Sequence, residues 1–190
     1  GAMYRAMALY FLRQGIDKTD ENAINATLDK VEITIRYENG AQQVILNGRD
    51  VSGKIRTEAV GNAASVVSAY RAVRQALLAL QQNLAKTSNV IMDGRDIGTV
   101  VFPDAELKLF VTASPEVRAK RRVDELEAKG IPASYEEVLE NVKKRDYIDS
   151  TREESPLRQA DDALVLDNSH MTLDEQKAWL LEQYHKAIGS

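Results

Sequence analysis

Cysteine is absent from the 190 residues, which excludes disulfides and thiolate metal sites and suits a reducing compartment. Only two histidines occur, His170 and His185, too few and too scattered for an imidazole metal cluster; both are expected at the surface. No apolar run approaches the length needed to span a bilayer, and the opening "GAMYRAMALYFLRQG" lacks the charged-then-apolar layout of a signal peptide. A basic field is also missing: the formal net charge is −4, so nothing in the overall charge argues for nucleic acid or an anionic membrane as partner. There is no internal repeat and no low-complexity linker. What remains, 44% hydrophobic and 28% charged residues, reads as a soluble globular chain of the cytoplasm, long enough for a sizeable core.

The order of elements is legible from periodicity. Residues 3–13 repeat at helical spacing and stop at Gly15; a second short helix is expected over 20–29, capped by Thr19 or Asp20. The period then falls to two. "VEITIRYENGAQQVILNGRDVSG" alternates at Val31, Ile33, Ile35 and Tyr37, turns at "ENG" and returns through "QVIL", giving an antiparallel hairpin with a third short strand near 49–51. Residues 57–84 are helical, in two pieces meeting near Ala69–Tyr70. Strands are expected at 89–93, 107–112 and 163–167, with helices at 115–129, 134–150 and 172–187. Strands alternating with helices argue for a parallel sheet with helices on its faces, and the hairpin reads as an inserted subdomain. Trp179, Leu173, Leu180 and Leu181 are expected to pack the last helix on the sheet.

Two polar clusters stand out. In "NVIMDGRDIGTVVFPDAELKLFV" an apolar run ends on Asp93, Gly94, Arg95 and Asp96. This is either a polar turn or a ligand site at the carboxyl end of a parallel strand, where open sheets bind their ligands. Asp93 has the position from which a carboxylate holds magnesium through water, and Asp96 is an acceptor suited to an exocyclic amine such as that of cytosine. In "NVKKRDYIDSTREESPLRQADDALVLDNS", Arg145 and Asp149 lie four apart, and Arg152 three further on. Alone they could be a solvated ion pair. Arg118, Arg121 and Arg122 on the preceding helix add more guanidiniums, and clustered arginines repel unless an anion lies between them, so a phosphate ligand is the economical explanation.

Five stretches together resemble bacterial cytidylate kinases, a family of nucleoside monophosphate kinases: "GAMYRA", "VSGKIRTEAVGNAAS", "MDGRDIGTVVFPDA", "RDYIDSTREESPL" and "ADDALVLDNS". The resemblance runs in order over nearly the whole chain. It implies an α/β, three-layer parallel-sheet P-loop kinase fold in one domain, residues 1–190. A small antiparallel monophosphate-binding subdomain would be inserted at about 27–70, and a lid would cover about 115–152. The implied reaction moves the γ-phosphoryl group of ATP, with Mg2+, onto CMP or dCMP, in a monomer that binds neither nucleic acid nor membrane.

Residue roles follow from the same resemblance. Arg5 and Arg95 fall at acceptor-phosphate positions, and Tyr4, beside Arg5, falls among the substrate-binding residues. Ser65, Arg74 and Asp96 fall where the base is read, and the chemistry fits: a carboxylate facing the cytosine amine would face a carbonyl in uracil. Ser65 and Arg74 are nine positions apart, on opposite faces of one straight helix, so the break near Tyr70 is required for them to converge. Arg145 and Asp149 match the family's sugar- and phosphate-contacting pair and Arg152 its phosphate-contacting arginine. Arg118, Arg121 and Arg122 fall on the lid side, and Asn168 is expected near the ATP base. Arg95, Arg145, Arg152 and Arg122 would stabilise the transferring group, Arg118, Arg121 and Asn168 would bind ATP, and Asp93 would serve the metal. No general base is demanded, because phosphoryl transfer depends on positioning and charge neutralisation.

One family feature has no match. No Gly-Lys pair followed by Ser or Thr occurs; Gly53–Lys54 is followed by Ile55, with nothing glycine-rich before it. The expectation is that the family's first strand, glycine-rich loop and helix, about thirty residues, are absent from this chain. Turnover by the chain as it stands would then be negligible. The alternative is a pyrimidine-nucleotide-binding module without catalysis, or a fragment.

Overall fold

The computed structural model describes residues 1–86 and 89–189. It is a mixed α/β structure in two compact units, residues 1–95 with 151–156, and residues 96–150 with 157–189.

In the first unit, helix α1 (Ala2–Arg13) buries Met3, Met7 and Phe11, spaced four apart on one stripe, and Gly15 stops it in the left-handed region at φ +66°. Asp20 caps α2 (Glu21–Asn25), its carboxylate accepting from the Ala23 N–H at 3.0 Å. This helix is shorter than the sequence suggests; a tight turn of helix at Leu28–Lys30 takes up the remainder. Strands β1 (Ile33–Glu38), β2 (Ala41–Leu46) and β3 (Arg49–Asp50) form an antiparallel sheet in that order. Both turns are Asn-Gly pairs with positive φ at each residue, Asn39–Gly40 at 53° and 76° and Asn47–Gly48 at 47° and 75°. This is the hairpin geometry that matches strand twist, and it fixes the register with Ile33 opposite Leu46. Ile33, Val44 and Leu46 point into the core shared with α1 and α3. Burying each such side chain contributes about 1.5–3 kcal/mol.

Helix α3 (Glu58–Val67) starts at Thr57, whose hydroxyl accepts from the Val60 N–H, and ends at Ser68. Tyr70 is extended (φ −79°, ψ 130°), and α4 (Arg71–Leu84) begins directly after it. The break therefore falls where the Ser65–Arg74 spacing requires it. The expected strand at 89–93 does not form: these residues have no regular structure, and Ile91 is fully exposed. An apolar run has strand propensity, but a strand exists only with a ladder partner, and none of the described strands pairs with this one.

In the second unit, β4 (Leu109–Thr112) and β5 (Leu164–Asp167) pair in parallel, with Leu109 opposite Leu164 and Thr112 opposite Asp167. Between them run α5 (Pro115–Ala128), entered through a Ser114 cap with Pro115 in its first turn, and α6 (Tyr135–Thr151). Glu136 and Glu137 occupy the first turn of α6, as the helix dipole favours. Ile97–Val101 forms a wide π-type turn opened by Asp96, which periodicity did not reveal. Helix α7 (Leu173–Ile188) has a full capping box between Thr172 and Glu175 and a left-handed terminal Gly189. It buries no residue completely. Trp179 and Leu180 are half-buried, but Leu173 and Leu181 are exposed, against the expectation that all four pack inward. No helix among the described residues is long and apolar enough to cross a membrane.

Candidate functional site

The first unit brings four of the expected site residues to one point, the junction of α3 and α4. Arg74, from the first turn of α4, is buried and donates from Nη1 to the Ser68 carbonyl at 2.9 Å. Its guanidinium lies over the ring of Tyr4, from α1, 5.2 Å from the centroid. Arg152 donates from Nη1 to the Ser68 hydroxyl at 3.1 Å, across 84 positions of chain. Its Nε and Nη2 also donate to the Ser155 carbonyl, at 3.0 and 2.7 Å, around a turn in which Ser155 itself has φ +48°. An ion pair between Arg71 and Glu154, 3.6 Å apart, holds the same segment to the start of α4. Ser65, one turn before the end of α3, has a buried hydroxyl that makes no hydrogen bond.

A buried polar atom without a partner is rare in native proteins and needs a reason. Here it belongs to a residue whose carbonyl accepts from Ser68, and Ser68 in turn accepts from Arg74 and Arg152, with the Tyr4 ring against Arg74. That set, a hydroxyl, a planar cation and a ring, is suited to reading a flat polar ring, while Arg152 supplies a fixed positive charge.

Arg5 lies one residue further along α1. Its Nη1 donates to the Ile55 carbonyl at 3.0 Å, and its guanidinium rests on the backbone of Gly61 in α3. A Cβ at Gly61 would stand 3.2 Å from Nη1, so the missing side chain is what makes room for this arginine. Arg95 and Asp93 are exposed at the end of the first unit.

In the second unit Asp96 is buried, and its carbonyl accepts from the N–H groups of Val100 and Val101 at 2.9 and 3.2 Å. π-type turns of this kind recur at functional sites. Asp149, near the end of α6, is buried as well, its carbonyl accepting from Leu157 N–H at 2.7 Å, and Arg145, one turn earlier, is half-buried.

The three arginines of α5 behave differently from the argument that placed a phosphate between them. Arg118 forms a two-point pair with Asp146 of α6, Nη1 to Oδ1 at 2.9 Å and Nη2 to Oδ2 at 2.6 Å, which raises its pKa. Arg122 pairs with Glu125 at 2.7 Å. Arg121 donates to Asn168, to the side-chain oxygen at 3.0 Å and the carbonyl at 2.6 Å, and the Asn168 amide donates in turn to Gln176. Mutual repulsion is thus relieved by acceptors of the protein itself, and these guanidiniums need no bound anion to coexist. The contact of Arg121 with Asn168 does bring together two residues that the sequence placed at one site.

No group of three or more His, Asp or Glu side chains able to hold a metal occurs among the described residues.

Ser68, like Ser155, is a member of the junction that sequence reasoning passed over. Its position, three after Ser65 and six before Arg74, was the available signal, since a residue at a helix break exposes its carbonyl to capping cations.

Comparison with known proteins identifies the family. The family model described as cytidylate kinase matches residues 1–186. A protein of Parabacteroides distasonis named cytidylate kinase is 67% identical over all of this chain and 85% of its own length. Proteins of the same name from Bacteroides fragilis and Caldicellulosiruptor saccharolyticus are 54% and 48% identical, over 99% and 100% of this chain and 84% of each relative. The chain belongs to the cytidylate kinase family.

Proposed function

We propose that this protein transfers the γ-phosphoryl group of ATP to CMP or dCMP, giving the nucleoside diphosphate and ADP. The observation that carries the reading beyond family membership is the buried junction of Tyr4, Ser65, Arg74 and Arg152, with an unpartnered Ser65 hydroxyl inside it. Ser65, Arg74 and Asp96 read the cytosine, with Tyr4 among the substrate-binding residues; Arg5, Arg95 and Arg152 take the acceptor phosphate, and Arg145 and Asp149 hold the sugar and phosphate. Discrimination against uracil follows from Asp96, whose carboxylate would then face another acceptor.

On the donor side Arg118, Arg121, Arg122 and Asn168 face ATP. Their present partners are protein acceptors, so binding exchanges those partners for phosphate oxygens as the α5–α6 lid closes. Asp93, an exposed lone carboxylate, would hold magnesium through water, and the ion would supply charge neutralisation between the phosphates. The parallel pair β4–β5 belongs, in this reading, to a three-layer P-loop kinase sheet, the hairpin β1–β3 to an inserted acceptor subdomain, and the working form is a cytoplasmic monomer.

One feature favours a second reading for this polypeptide taken alone. The 190 residues contain no Gly-x-x-x-x-Gly-Lys-Ser/Thr sequence, the loop whose N–H groups and lysine cradle the donor phosphates. The acceptor site without that loop is a nucleotide-binding module. A coupled ADP-release assay with CMP, ATP and Mg2+, run beside a CMP binding titration on the same 190 residues, separates the readings. CMP binding with negligible turnover, restored when a donor loop is supplied, supports the kinase. Binding with no turnover under either condition supports the module, and no binding removes both.

A further inference from the structure

We propose that Ser68 is a positioning residue of the acceptor site, setting one arginine through its hydroxyl and another through its carbonyl. The proposal rests on the acceptor-site reading of Arg74 and Arg152 and extends it to a residue that neither the family resemblance nor the comparisons single out.

Ser68 closes α3 and is buried, 7% exposed. A serine hydroxyl has one proton to give and lone pairs to accept with. The proton goes to the Ser65 carbonyl, one turn back, at 3.0 Å. That bond fixes the rotamer and leaves a lone pair directed at Arg152, whose Nη1 donates to it at 3.1 Å. The Ser68 carbonyl belongs to the last, unsatisfied turn of α3, where the helix dipole is negative, and there Arg74 Nη1 donates at 2.9 Å. One residue therefore orients two guanidiniums that arrive from different segments, α4 and residues 151–156, and its donated bond ends on Ser65, the residue with the unpartnered hydroxyl.

The two links are chemically separable. Ser68→Ala removes the hydroxyl with its bonds to Arg152 and to the Ser65 carbonyl, but keeps the carbonyl that holds Arg74. With Arg152 on the acceptor phosphate and Arg74 on the base, the variant must lose affinity for the nucleotide and keep affinity for the nucleoside. A residue that served only to stabilise the fold would weaken both ligands or neither.

The experiment titrates CMP and cytidine into the native chain and Ser68→Ala, following chemical shifts of the complete polypeptide, with cytidine taken to millimolar concentration. CMP affinity is expected to fall about five- to tenfold, with cytidine affinity unchanged within twofold; Ser68→Thr, which keeps the hydroxyl, recovers most of the loss. An equal loss for both ligands, or no loss for CMP, overturns the proposal. A second measurement needs no ligand. Rotation about the Arg152 Cζ–Nη1 bond is expected to be slow in the native chain and to quicken in Ser68→Ala, while Nη2, held by the Ser155 carbonyl, stays slow in both; Nη1 rotation unchanged between the two chains contradicts the anchoring. Should the native chain take up neither CMP nor cytidine, the acceptor-site reading falls by itself, and the Arg152 resonances still decide what Ser68 does.

Discussion

Arg118 and Asp146 meet through two parallel hydrogen bonds, 2.9 and 2.6 Å long, that tie α5 to α6. Both side chains are about one-third exposed, 36% and 34%, so solvent screens the pair and its worth is modest. A double-mutant cycle with Arg118→Ala and Asp146→Ala, read by urea unfolding, should give a coupling energy of about 0.5–1 kcal/mol. A coupling near zero would mean the two-point geometry is not held in solution.

Ser65→Ala should separate stability from binding. The hydroxyl is buried without a partner, so its removal leaves no bond broken, and stability is expected to stay level or rise by up to about 1 kcal/mol. CMP affinity should drop about five- to tenfold, the loss of one hydrogen bond to the base. Thermal unfolding and a CMP titration on the same variant make the comparison. A clear fall in Tm would show that the hydroxyl has a structural partner after all.

Gly61→Val should displace Arg5. Even a Cβ would crowd Nη1 at 3.2 Å, and the branched side chain adds bulk against the guanidinium. Overpacking of this kind costs about 1–3 kcal/mol. The cost should shrink in an Arg5→Ala background, measured by denaturant unfolding of the single and double variants. An undiminished cost would place the clash elsewhere.

Acid should weaken the C-terminal half of α5 in a defined window. Hydrogen bonds from Lys129 and Arg122 hold the Glu125 carboxyl at about 2, against an ordinary value of 4.5. A depressed folded-state pKa gives stability that is complete above the ordinary value and disappears as pH falls toward 2. The group is exposed, so the contribution is at most about 1 kcal/mol. Glu125→Gln should therefore lower Tm slightly at pH 7, and the difference from the native chain should narrow by pH 3. A difference that grows on acidification would contradict the assignment.

Local signals were the readable ones. Asn-Gly at 39–40 and 47–48 dictates tight hairpins because both residues accept positive φ, and the alternation on either side fixes which face is buried. The break between α3 and α4 was readable for a different reason: two residues meant for one ligand sat nine apart. Non-local pairing was not readable. "NVIMD" has the composition of a strand but lacks a ladder partner, and Leu173 and Leu181 follow a helical stripe that the fold leaves in solvent. Arg118 finds Asp146 across 28 positions, which no spacing rule connects, so the carboxylate that partners this guanidinium within the chain was not legible. Ser68 was hidden because serine at a helix end is ordinary; only its partners make it notable.

The central claim is a cytosine-selective acceptor site, and the direct test is calorimetric titration of CMP and UMP into the native chain and Asp96→Ala. The account predicts that the native chain binds CMP at least about tenfold more tightly than UMP, and that the preference collapses toward equality in the variant. Absence of CMP binding, or a preference that survives in Asp96→Ala, would contradict it.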